Sequence, residues 1–161
     1  MKVTFGKTEV RRYGVHVQRD RAPDLWTLGP GYDDDLPHDL LHFVAEAEFG
    51  LDGGVFGDVA AGGHARMFLP VDRTLIPKLW RQKRMHRYVL PDGRRSEELA
   101  HELEQGWRAR TLEPRLLRKL DELAEQWRAL APGESLTLEW PRPEGRRKHP
   151  PRDRRRPGRR R

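Results

Sequence analysis

The feature that most limits what this chain can fold into lies at its end. From Pro141 onward it reads PRPEGRRKHPPRDRRRPGRRR, and nothing in that run can build an apolar core. Proline, like charge and low hydrophobicity together are the composition of a disordered segment. Folding is therefore confined to residues 1–141, and a chain of 161 residues leaves room for one ordinary domain, not two. The expected organisation is a single globular domain over 1–141 and a disordered arginine-rich tail over 142–161.

The same tail carries the charge. Residues 142–161 hold ten Arg and one Lys against Glu144 and Asp153, a balance of +9 within a whole-chain charge of +7, so the first 141 residues stand near −2. A basic run of this kind can contact nucleic-acid phosphates without reading sequence. The residues in question are Arg152, Arg154, Arg155, Arg156, Arg159, Arg160 and Arg161, with the 81–87 stretch, RQKRMHR, as a second basic run. The alternative is compositional, since 26 Arg against 6 Lys across the chain is a bias that a GC-rich coding sequence also produces.

There is no cysteine, which excludes disulfides, thiolate zinc sites and cysteine nucleophiles. The opening MKVTFGKTEVRRYGVHV has no apolar run of signal-peptide length, and no stretch approaches the roughly 18 apolar residues of a membrane span. A cytoplasmic protein without membrane attachment is the expectation.

Hydrophobic periodicity then places the elements. Residues 2–5 and 9–18 read as strands joined by a turn at Gly6-Lys7, because Tyr13, Val15 and Val17 alternate with polar neighbours. Residues 19–35 are rich in Pro and Gly and read as a loop anchored by Leu25, Trp26 and Leu28. A helix follows, with Asp35 as N-cap, Pro37 in its first turn, an apolar stripe of Leu36, Leu40, Leu41, Val44 and Ala47, and Gly50 as its stop. The glycine-rich 53–63 segment forms either a short helix from Val55 to Ala61 or a tight loop. Residues 64–71 read as a strand with Met67 and Leu69 on one face, and 73–90 carry Leu75, Ile76, Leu79 and Trp80 at helical spacing. Two further helices start at Ser96 and Pro114. Leu99, Leu103 and Trp107 mark the first, and Leu116, Leu120, Leu123 and Trp127 the second, with a short link that predicts an antiparallel pair. SLTLEW (135–140) alternates as a last strand. The fold class expected is α+β, a small antiparallel sheet of N-terminal hairpin and C-terminal strand packed with three or four helices.

One local arrangement carries chemistry. His38 and His42 are four apart, which on a helix puts both imidazoles on one face with about 6 Å between Cβ atoms. Glu46 stands a further turn along, rotated by about 40° from His42 because four residues turn a helix by about 400°. Two His and one carboxylate form a ligand set used by catalytic zinc and by non-haem iron, with positions left for water or substrate. Asp39 occupies the place of the Glu in the metalloprotease HExxH motif, as a base on metal-bound water or an orienting partner of a ligand. The bland alternative is that His38 and His42 only pack, as pairs at this spacing arise readily in a chain with seven His. The remaining His point to nothing comparable. The 50–63 segment lacks the GK[ST] of a phosphate-binding loop, and no G-x-S-x-G elbow occurs.

The pattern His38-Asp39-x-x-His42 resembles the HDxxH core of the zinc motif in a ubiquinone-biosynthesis family, whose motif adds a Glu after eleven intervening residues. That place is Gly54 here, while Glu46 and Asp58 stand out of register, and the likeness spans five residues. His38-Asp39 is also similar, more distantly, to the HD phosphohydrolases, which are all-helical and need a separate upstream His. The wider segment 36–63 looks like a motif of uncharacterised bacterial proteins, and no activity is attached to it. The first functional expectation is a divalent-metal site, zinc or another ion on His38, His42 and Glu46 with Asp39 beside it, of the kind a metal-dependent hydrolase uses. Its rival is a non-catalytic nucleic-acid-associated module that uses the basic tail.

Overall fold

The computed structural model describes residues 1–9, 11–31, 35–65, 67–75 and 90–141. Among them are five strands and four α-helices, which makes the domain α+β as the patterning requires. In chain order these are β1 (Lys2–Lys7), β2 (Arg12–Gln18), β3 (Leu25–Gly31), α1 (His38–Phe49), α2 (Val55–Ala60), β4 (Leu69–Pro70), a 3₁₀ turn at Arg73–Leu75, α3 (Gly93–Arg108), α4 (Pro114–Ala129) and β5 (Ser135–Glu139). The strands form one antiparallel sheet in the order β4-β3-β2-β1-β5. Residues 142–161, and with them the disorder and the phosphate contacts expected of the tail arginines, lie outside the described residues, as do the 81–87 basic run and most of the helical segment expected over 73–90.

One face of the sheet is buried and the other is wet. Val3, Phe5, Tyr13, Val15, Val17 and Leu25 point inward, while Lys2, Arg12, His16, Gln18 and Trp26 point outward. The hairpin does not turn at Gly6-Lys7, which lie inside β1. Thr8 closes it with backbone and hydroxyl bonds to the Arg12 carbonyl, and Arg11 takes a left-handed φ of 52°. Gly6 stays in the strand opposite Gly14.

The segment expected as a loop contains β3. Its alternation escapes a simple apolar–polar reading because the inward positions are Leu25, Thr27 and Gly29, while Trp26 and Leu28 face outward at 36% and 41% exposure. Only Leu25 of the three expected anchors enters the core. Conversely, the strand expected over 64–71 shrinks to Leu69–Pro70, paired to Leu25 and Trp26 at the sheet edge, where proline's missing donor is tolerated.

Helix α1 runs through the middle of the core. It starts at His38, and its N-cap position is Pro37, whose carbonyl accepts from the Leu40 and Leu41 N–H groups. Asp35 does not cap it and instead pairs with Arg108 of α3 at 2.8 Å. Gly50, with φ 72°, ends the helix as expected. The expected stripe is buried, with Ala47 packed against the core, but burial extends round the helix, since every residue from Asp39 to Glu46 is buried. Phe43 of α1, Phe56 of α2, Phe5 of β1, Phe68 and Trp140 interlock with ring centroids 5.3–6.5 Å apart, mostly edge to face. Such pairs each add about 0.5–1.5 kcal/mol beyond their burial, and they pin α1 and α2 against the sheet.

Helix α3 begins at Gly93, one turn before the expected Ser96. It lies alongside α1, while its tie to α4 is made by side chains, the Trp107 indole and the Arg110 guanidinium both donating to Asp121. The order of contacts, Asp35 with Arg108 and Glu46 with Ser96, shows that α1 and α3 are antiparallel. That packing places Ser96 and Glu97 over the His-bearing face of α1. Among the described residues no helix is long and apolar enough to cross a membrane.

Candidate metal centre

His38 and His42 meet as the helical spacing requires. Their Nε2 atoms are 3.0 Å apart and the rings are edge to face with centroids 4.6 Å apart. The carboxylate that joins them is Glu97 of α3, whose Oε2 lies 3.3 Å from each Nε2. The three atoms form a nearly equilateral triangle. Ligands about 2.0–2.1 Å from a tetrahedral zinc ion stand about 3.3 Å apart, so the triangle has the size of one face of such a coordination sphere. The group could hold a metal ion. His42 is buried, while His38 and Glu97 are half exposed or more, so the triangle lies at the protein surface.

Glu46 does not join the group. Its fully buried carboxylate accepts from the backbone N–H groups of Val55 (2.6 Å), Phe56 (2.8 Å) and Gly57 (3.0 Å), the otherwise unpaired donors at the start of α2. Ser96 adds a fourth donor through its hydroxyl at 2.5 Å. A Cβ at Gly54 would meet this carboxylate, so the glycine-rich segment is shaped to seat Glu46. Burial raises the Glu46 carboxyl above its ordinary value, and the four hydrogen bonds pull it back.

Asp39, the residue expected beside the metal, is likewise engaged elsewhere. It points to the sheet, where the Tyr13 hydroxyl donates to its Oδ2 at 2.8 Å in a buried contact. Adjacent helix positions are turned by about 100°, which carries Asp39 off the face of His38 and His42. Burial and then the neighbouring Asp39 charge push the Tyr13 phenol far above its ordinary range.

His42 is held from behind. Its Nδ1 is 2.7 Å from Ser96 Oγ, which in turn reaches Glu46 Oε1. Burial holds the His42 imidazole below its ordinary pKa, against an upward pull from Glu97. Burial thus favours the neutral ring, the form in which His binds metal. Beside His38 opens a small cleft of about 180 Å³, lined by Gly31, Leu36, Pro37, His38, Leu41, Glu104 and Arg108.

Of the two α3 residues that complete this centre, the sequence marks Ser96 only as a helix start and gives Glu97 no role at a site. Nothing in the spacing of residues 54 and 59 positions away connects them to His42 and His38. Comparison with protein families, with curated proteins and with solved structures found no match, so the geometry stands without a relative to interpret it.

Proposed function

We propose that the protein binds a divalent cation, with zinc as the preferred ion, through His38 Nε2, His42 Nε2 and Glu97 Oε2. The observation that carries this reading is the triangle of those atoms, with sides of 3.0 and 3.3 Å and one imidazole buried. Borderline-soft zinc suits two imidazoles and one carboxylate. With three protein ligands and an open side, a bound ion would retain water and lower its pKa, the requirement for metal-assisted hydrolysis. The cleft beside His38 is a place for a small substrate. A hydrolase of this kind takes its base from solvent, because Asp39 is committed to Tyr13 and Glu97 to the metal.

The test is metal stoichiometry by elemental analysis after chelation and reconstitution, on wild type and on His38→Ala, His42→Ala, Glu97→Ala and Asp39→Ala. Near one zinc per chain is expected for wild type and Asp39→Ala, and a large loss for the other three. Zinc at 100 times its Kd should stabilise the fold by about 2.7 kcal/mol. Wild type with no zinc above background would end the reading. If zinc binds, ester, amide and phosphoester panels assayed with and without metal decide whether hydrolysis accompanies it.

The concentration of charge in residues 142–161 favours a second reading, nonspecific nucleic-acid binding by the tail. Binding of the full chain should then weaken steeply with salt, and a truncation at Pro141 should lose most of that slope. Equal binding by both forms would remove the tail from the contact.

A further inference from the structure

The two buried groups behind His42 have no part in the ligand triangle, yet their hydrogen bonds run in one direction. Glu46 receives three backbone N–H groups and the Ser96 hydroxyl, so as a carboxylate it can only accept. The single Ser96 hydroxyl proton is thus spent on Glu46 at 2.5 Å. With Glu46 ionised, Ser96 Oγ is left to accept from His42 Nδ1, 2.7 Å away, which assigns the ring proton to Nδ1. The other nitrogen, Nε2, is left with a bare lone pair aimed at His38 and Glu97.

We propose that Glu46 and Ser96 are positioning residues that lock His42 in its Nδ1–H tautomer and thereby present Nε2 as a ready-made ligand. The proposal rests on the metal reading for its consequence but not for its substance, since the tautomer is set in the metal-free protein. Imidazole ligands of metals gain order and basicity from a partner on the far ring nitrogen, and loss of that partner weakens binding by about 10- to 100-fold. Here the partner is a serine that relays a carboxylate from the next turn of the same helix. The start of α2 completes the device, because the Val55, Phe56 and Gly57 N–H groups fix Glu46 in place.

The tautomer can be read directly. Long-range ¹H–¹⁵N correlation spectra of ¹⁵N-histidine-labelled, metal-free full chain at pH 7.5 should show His42 protonated on Nδ1 alone. Ser96→Ala should return a mixture of tautomers and weaken zinc binding about 10- to 100-fold in competition with a chromophoric chelator. Glu97→Gln should abolish tight zinc binding and leave the His42 tautomer as in wild type. That variant alters a largely exposed residue, so it keeps the test decisive should Ser96→Ala fail to fold. An Nε2–H tautomer in wild type would mean that the chain of bonds runs the other way, from a protonated Glu46 toward Glu97, and would overturn the proposal. So would a tautomer that changes in Glu97→Gln, or unchanged zinc affinity and tautomer in Ser96→Ala. Correct tautomers with no zinc bound to any form would instead retain the lock and discard the metal.

Discussion

Replacing Glu46 by alanine separates a structural carboxylate from a metal ligand. Glu46 is fully buried, and its removal strands the N–H groups of Val55, Phe56 and Gly57 at the buried start of α2. Each buried donor left unmet costs about 1–3 kcal/mol, so three give roughly 3–9 kcal/mol before relaxation. Two effects offset this. A buried carboxylate no longer has to be desolvated, and water can enter the space that the side chain leaves. A net loss of about 2–5 kcal/mol remains, a large part of the roughly 5–15 kcal/mol that holds an ordinary domain together. With a urea m-value near 2 kcal/mol/M, the unfolding midpoint should fall by about 1–2.5 M. The measurement is made without metal. A carboxylate whose work is coordination, as Glu97 is proposed to be, should leave the metal-free midpoint nearly unchanged. A shift below about 0.5 kcal/mol for Glu46→Ala would refute the reasoning, because it would mean that the α2 donors find partners elsewhere.

Other outcomes follow from the same packing. Gly57→Ala places a Cβ 2.4 Å from the Leu51 carbonyl and 2.8 Å from Asp52 Cα, both backbone atoms that cannot swing away, so about 1–3 kcal/mol of stability should be lost in urea unfolding. Tyr13 has a folded-state pKa raised above its unfolded value, so the stability it contributes is complete below about pH 10 and declines as pH rises past that value, by about 1.4 kcal/mol per pH unit for one proton. In an absorbance titration Tyr13 should ionise only on unfolding, and Tyr13→Phe should remove that late phenol; ionisation of every tyrosine together near pH 10 would contradict it. Arg19→Met removes guanidinium bonds to the Val59 and Gly63 carbonyls and should destabilise by about 1–3 kcal/mol. Trp26→Thr, on the open face of the sheet, should stay within about 0.5 kcal/mol, and a larger loss would mean that this face is covered.

What the amino-acid order determined by itself was whatever depends on local period and composition. The alternation of Tyr13, Val15 and Val17, the helices carrying Leu99–Trp107 and Leu116–Trp127, and the meeting of His38 with His42 all follow from chain geometry over a few residues. Tertiary structure decided which carboxylate faces the two imidazoles. A helix sets the angle of each side chain about its own axis but does not say what packs there. Glu46, about 80° round from His38, turns toward α2 and is consumed by its backbone donors. The antiparallel approach of α3 brings Glu97 across from a position 59 residues distant. Strand β3 was hidden for a related reason, because pairing with β2, not its own pattern, turns Thr27 and Gly29 inward and leaves Trp26 exposed.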